Sequence, residues 1–339
     1  MELVATPNNP VPGEGVVMHV TAADEVPLRV ARWRPTTRRV RGTVCIMQGR
    51  AEFIEKYFET IADLRRRGFA VVAFDWRGQG LSGRLTRNRR KGHIADFAHY
   101  LRDLDAVHAQ VLEPLMPKPH FALAHSMGAA VALQAALHGR LPFERLVATA
   151  PMVALSMVRQ PRSAKLAALI LNLLGFSRSF IPGGGETSIA EKPFSGNPLT
   201  SDRARYERNG EAAAGIGDGA VGDPTVGWIA AAFRVMAKLS SSEVPLAIRV
   251  PTLVVAAGAD PVCGTPEIER FGARLKAGHA LVIPGSRHEI LMEREAIREQ
   301  FWAAFDAFVP GTPDPARGPS GPEEFQDLGM EPAVADRDD

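Results

Sequence analysis

Residues 121–130 read Phe121-Ala-Leu-Ala-His-Ser-Met-Gly-Ala-Ala, which puts Ser126 between a short apolar run and an alanine-rich stretch reaching residue 138. The apolar run has the length of a buried strand. The stretch after it is a helix apolar nearly all round, as one packed deep against a sheet must be. A serine at such a strand-to-helix corner is presented on a tight turn, and the residues two before and two after it must be small. Ala124 and Gly128 meet that demand. Five-residue patterns of this kind also arise by chance, so the reading needs partners elsewhere in the chain.

Outward from this corner, short apolar runs alternate with helical periods. Thr43–Met47, Ala70–Phe74, Phe121–Ala124, Leu146–Ala150, Leu253–Ala256 and Ala280–Ile283 each predict a buried parallel strand. Val17–Val20 and Leu28–Trp33 alternate more, as an antiparallel edge hairpin would. Ile54, Phe58, Ile61 and Leu64 share a helical face that Gly68 stops, and Ile94, Phe97, Leu101, Leu104 and Val111 form a second stripe. Residues 296–309 supply a closing helix. The class is α/β, a mostly parallel central sheet with helices on both faces.

That alternation occupies residues 1–152 and 250–309, two parts of one core. Between them, 153–249 holds helix candidates at 163–175 and 226–239 among Gly- and Pro-rich loops, and reads as a helical cap or lid insertion. Residues 310–339 hold six Pro, four Gly and scattered acids. Such a composition cannot offset the entropy of ordering and predicts a disordered acidic tail.

Forty Lys+Arg against 38 Asp+Glu leave a formal charge of +2, which argues against a dedicated nucleic-acid partner. The sum conceals a division: residues 310–339 have eight acids and two arginines, a net of −6, so the rest carries +8. A basic body suits peripheral contact with an anionic membrane surface. No apolar run nears the roughly 18 residues of a membrane span. The first residues lack the basic and apolar regions of a secretory signal, and Cys45 and Cys263 make neither a disulfide framework nor a zinc site. A cytoplasmic protein without metal or organic cofactor is expected.

On such a corner, a nucleophilic serine calls for an acid and then a histidine, each just past the carboxyl end of a later strand. Asp260 follows the run at 252–258, and His288 follows that at 280–285. Rival histidines are worse placed. His279 precedes its strand, His125 should face away from the pocket, and His99, His108 and His138 sit in helical patterns. Asp75 also ends a strand, but it precedes Ser126 and reads as a loop brace. A serine hydroxyl is a poor nucleophile until a base takes its proton. His288 would be that base, with Asp260 holding the imidazole tautomer. The carbonyl oxygen that gains charge needs fixed donors. The N–H of Met127 at the helix start and that of Arg50, after the first parallel strand, would form this oxyanion hole.

Gln48-Gly-Arg-Ala-Glu-Phe-Ile-Glu-Lys-Tyr-Phe-Glu-Thr, Asp75-Trp-Arg-Gly-Gln-Gly-Leu-Ser, Ala124-His-Ser-Met-Gly and His288-Glu-Ile-Leu-Met-Glu together resemble bacterial lysophospholipases, in the monoacylglycerol-lipase branch of the α/β-hydrolase fold. In the insertion, Asn197-Pro-Leu-Thr-Ser-Asp and Pro224-Thr-Val-Gly-Trp are similar to that branch too. The resemblance covers residues 15–309. It implies the α/β-hydrolase fold and hydrolysis of a single-chain lipid ester, lysophospholipid or monoacylglycerol, through an acyl-enzyme. Its functional residues fall on Ser126, Asp260, His288, Met127 and Arg50. Relatives often have His-Gly where this chain has Gln48-Gly49, and Gly where it has Ala124. The same triad also fits a short-chain carboxylesterase or a peptidase, and the same fold a binding protein without turnover.

Other signals have blander readings. Gly78-Gln-Gly80-Leu-Ser-Gly83 matches a dinucleotide-binding pattern, but no apolar helix opens after it, so it reads as a turn. Residues 84–91 hold five basic residues in eight and read as a solvated, mobile loop, with phosphate or bilayer contact as the alternative. Leu169 and Leu173, within the apolar run from Leu166, and Trp228 are candidates for contact with an acyl chain.

Overall fold

Strands covered on both faces must be largely apolar, and the central ones here are. The computed structural model describes residues 2–158 and 160–310. Its strands are β1 (Gly15–Thr21), β2 (Pro27–Trp33), β3 (Thr43–Met47), β4 (Ala70–Phe74), β5 (His120–His125), β6 (Arg145–Thr149), β7 (Thr252–Ala257) and β8 (Gly278–Ile283). They form one sheet in the order β1-β2-β4-β3-β5-β6-β7-β8. β2 pairs antiparallel with β1 and β4, and the remaining pairs are parallel. β3, β4, β5 and β7 are buried along their whole length.

The first helices are α1 (Phe58–Arg66), α2 (Ala98–Val107), α3 (Glu113–Leu115), α4 (Ser126–Leu137) and α5 (Pro161–Leu173). They are followed by α6 (Arg203–Ile216), α7 (Val226–Leu239), α8 (Val244–Ala247), α9 (Thr265–Gly272) and α10 (Glu295–Phe308). Phe58, Ile61 and Leu64 of α1 and Phe301, Trp302 and Phe305 of α10 share one apolar cluster with one face of the sheet. The apolar residues of α2, α4 and α9 share a second cluster with the other face. The Ala-rich α4 is buried almost all round.

Helices α5 to α8 stand between β6 and β7. The expected helix at 163–175 begins and ends two residues earlier, with Pro161 in its first turn, where a missing N–H costs nothing. The sequence reading overlooked α6. Its buried positions are Tyr206, Asn209, Ala212, Ala213 and Ile216, too few of them large and apolar to make a stripe. Its start was legible, since Asp202 caps it by accepting from the Arg205 N–H at 2.9 Å.

The loop at 84–91 departs from the solvated, mobile reading. Arg84 donates to the carbonyls of Ser82 at 3.0 Å and Asp218 at 3.1 Å, and Arg90 pairs with Glu191 at 2.8 Å, so the loop is fastened to the insertion. Gly78 and Gly80 turn with positive φ, and a Cβ on Gly80 would strike the Asp75 carboxylate. That carboxylate accepts from the N–H groups of Ile54 and Leu81 and from Arg29, as a loop brace must. The tail expected at 310–339 lies, Pro310 aside, outside the described residues. None of the described helices is long and apolar enough to cross a membrane.

Candidate active site

Parallel strands end at one edge of the sheet, and side chains just beyond those ends can meet there. Ser126 follows β5 directly at φ 49°, a left-handed backbone that pushes its hydroxyl out of the corner. His288 Nε2 lies 3.0 Å from Ser126 Oγ, and His288 Nδ1 lies 2.8 Å from Asp260 Oδ2. With Nδ1–H donating to the carboxylate, Nε2 is left to accept the serine proton. Burial alone would raise the Asp260 carboxyl. The bond from His288 and the N–H groups of Cys263 and Val262 outweigh it and hold the group below its ordinary value.

The two expected oxyanion donors also reach this edge. Met127 opens the first turn of α4, whose dipole is positive there, and Arg50 follows β3. Among the described residues neither backbone N–H has a protein acceptor. Gly128 lets the two segments meet, because a Cβ there would stand 2.2 Å from the Met47 carbonyl oxygen.

A buried ionic group behind this edge escaped the sequence reading. Glu52 accepts from the Gly49 N–H, from Tyr57 Oη at 2.7 Å and from Lys56 Nζ at 2.6 Å. Lys56 also reaches Glu289 at 2.5 Å, tying the loop after β3 to the loop of His288. Burial opposes ionisation of Glu52, yet Lys56 and His125 outweigh it and bring the carboxyl down to about 2. Glu289 moves the other way, because burial exceeds what Lys56 returns. His125, expected to face away, packs its ring 4.9 Å from that of His288 and places Nε2 3.8 Å from Glu52. Burial lowers the His125 pKa to about 4, so it is neutral near pH 7. Glu52 and Lys56 stood in the sequence at helical spacing, but only the fold shows that the pair is sealed.

The three expected acyl contacts are placed differently. Trp228 is buried, donates to Tyr100 Oη at 3.3 Å and packs against Phe97, which makes it a joint between α7 and α2. Leu169 and Leu173 are 46% and 77% exposed on the outer side of α5 and are not among the residues lining the cavity beside that helix. Leu155, Val158, Phe233 and Met236 instead line a cavity of about 490 Å³, together with Arg162, Lys165 and Glu267.

Two trios could in principle offer metal ligands, each with its atoms within 4.8 Å. In the first, Asp260, Cys263 and His288, the carboxylate is engaged by the imidazole, and burial keeps the thiol protonated. In the second, His108, Glu113 and His120, Glu113 is held by Lys118 at 2.6 Å.

The model of the Hydrolase_4 family, described as serine aminopeptidase, S33, matches residues 38–295. Lysophospholipase L2 of Escherichia coli strain K12 is 33% identical over 291 residues, 82% of each chain. Monoglyceride lipase of Rattus norvegicus is 28% identical over 161 residues, 46% of this chain and 50% of that one. A soluble variant of monoglyceride lipase from Saccharomyces cerevisiae, solved with a substrate analog, shares the fold. Its TM-score is 0.66 at 19% identity, covering 88% of this chain and 97% of that one. On the extent of these matches the chain belongs to the Hydrolase_4 family (serine aminopeptidase, S33), among the lysophospholipase- and monoglyceride-lipase-like α/β-hydrolases.

Proposed function

We propose that the protein hydrolyses the carboxylic ester of a single-chain lipid, a lysophospholipid or monoacylglycerol, with Ser126 as nucleophile. The hydrogen-bonded run from Asp260 through His288 to Ser126, at 2.8 and 3.0 Å, carries this reading. Ser126 Oγ attacks the ester carbonyl as His288 Nε2 takes its proton, and Asp260 stabilises the resulting imidazolium. The negative oxygen is held by the N–H groups of Met127 and Arg50, and losing one such donor typically costs about 2.7–4 kcal/mol. Nε2–H then protonates the departing alcohol. Water, deprotonated by the same nitrogen, releases the fatty acid.

Residues 153–249 serve as the cap in this proposal. The apolar part of the cavity between α5 and α7, formed by Leu155, Val158, Phe233 and Met236, suits an acyl chain. The outer face of α5 exposes Leu166, Leu169, Ile170 and Leu173 beside the cations Arg162 and Lys165, which supports contact with an anionic bilayer.

A fluorophosphonate probe should label the folded protein and fail on Ser126→Ala, which also loses hydrolysis of palmitoyl lysophosphatidylcholine and monopalmitoylglycerol. Absence of labelling of the folded wild type would sink the triad. A preference for acetyl or butyryl esters over both lipids would replace the lipid reading with a short-chain carboxylesterase.

A further inference from the structure

Arg50 has a side chain whose position the oxyanion role does not explain. Its guanidinium turns from the sheet edge toward the insertion, where Nη2 donates to the Gly222 carbonyl at 2.7 Å. The group lies over the Trp228 ring, 5.2 Å from its centroid. Nε is buried without an acceptor, and Nη1 has none either but is not sealed from solvent. No carboxylate among the described residues lies within ion-pair distance. Asp223, an acid whose charge acts on Arg50 through space, is engaged elsewhere, accepting from the Gly185 N–H at 3.0 Å and lying 3.6 Å from Lys192.

Arg84 is likewise held by carbonyls alone, whereas the three most deeply buried arginines are each met by acids. Arg29 is held by Glu55 and Asp75, Arg77 by Asp24 and Asp103, and Arg298 by Glu59, Asp63 and Glu295. A desolvated cation without a counter-charge is costly, and burial pulls the Arg50 pKa down to about 10. It is nevertheless charged near pH 7. An anion bound beside it would recover that cost.

We propose that the Arg50 side chain is the binding group for the phosphate of a lysophospholipid substrate, while its backbone N–H serves the oxyanion of the same molecule. The inference rests on the lipid-ester reading and selects within it. In a lysophospholipid the phosphorus stands a glycerol's length from the ester carbonyl. The guanidinium stands an arginine side chain's length from its own N–H, so one residue spans both groups. Trp228 backs the guanidinium and Gly222 fixes its roll, leaving the solvent-facing Nη1 as the donor for a phosphate oxygen. A monoacylglycerol offers only hydroxyls there and leaves the cation unpaired.

The test is the ratio of kcat/KM for palmitoyl lysophosphatidylcholine to that for monopalmitoylglycerol. Both are presented in neutral detergent micelles, so that surface charge contributes nothing. Arg50→Met, which keeps bulk against Trp228, should lower this ratio roughly tenfold or more, and Arg50→Lys should lower it less. Damage to the oxyanion loop affects both substrates and cancels. An unchanged ratio overturns the proposal and leaves the side chain a fastening of the insertion. If the wild type cleaves p-nitrophenyl butyrate but neither lipid, the lipid reading itself has failed. Should Arg50→Met not fold, competition on the wild type decides. Glycerophosphocholine should inhibit p-nitrophenyl butyrate hydrolysis at least tenfold more tightly than glycerol or inorganic phosphate. Equal, weak inhibition by all three overturns the assignment.

Discussion

Ser126 holds a backbone conformation that costs a residue with a Cβ about 1–2 kcal/mol, and its neighbours keep it there. Gly128 is the clearest of them. Replacing it with Ala drives a methyl into the Met47 and Gln48 carbonyls, so the start of α4 must withdraw from the loop after β3. We expect Gly128→Ala to cost about 1–3 kcal/mol, read as a lower thermal midpoint, together with reduced kcat on p-nitrophenyl butyrate. The buried His125 yields a pH dependence. Its folded pKa of about 4 lies below the ordinary histidine value of 6.5, so the unfolded chain binds the proton first as pH falls. Its contribution is complete above about pH 6.5 and is lost progressively toward pH 4, on the order of 3 kcal/mol. Urea midpoints should fall across that window, and less steeply in His125→Gln. Equal slopes in the two proteins would mean that other groups, such as His93, govern acid unfolding.

At the scale of elements, α5 is unusual in burying only Ala168 while exposing a leucine-rich face. A helix with that division of surface needs an apolar neighbour, and a bilayer interface supplies one. Leu169→Ser combined with Leu173→Ser should reduce co-sedimentation with anionic vesicles several-fold. It should change folding stability by no more than about 1–2 kcal/mol, because Leu173 is mostly and Leu169 about half exposed. Undiminished sedimentation would exclude this face as the contact. The neighbouring α7 is held differently, with Trp228 locked between Phe97, Tyr100 and Arg50, so substitution there should disturb packing before it disturbs lipid contact.

Over the whole molecule, the charge of +2 is the sum of a +8 body and a −6 tail beyond Val309. Removing residues 310–339 should therefore tighten binding to anionic vesicles at low salt. The gain should vanish at high salt, where screening shortens the reach of charge to a few ångströms. Equal binding with and without the tail would exclude it as an electrostatic regulator. The sheet separates these effects from the chemistry. Ser126, Asp260 and His288 stand at the carboxyl edge of β5, β7 and β8, on loops anchored in a core filled on both faces.

Much of this was legible in the chain because the physics that builds it is local. Strands covered on both faces must be short and apolar, so β3, β4, β5 and β7 announced themselves, and a serine corner tolerates only small neighbours, so Ser126 did too. Asp260 and His288 followed from their places after later strands. The pairing of Lys56 with Glu289 and the approach of His125 to His288 were not legible. Each depends on residues distant in sequence whose side-chain directions are set only when the sheet closes. The same holds for Arg50, whose sequence context assigned its N–H and was silent about its guanidinium. Sequence patterns report which residues must be buried, and local turns report where a backbone must bend. Whether a buried charge meets a partner depends on how the insertion folds back over the sheet, and that was decided in three dimensions.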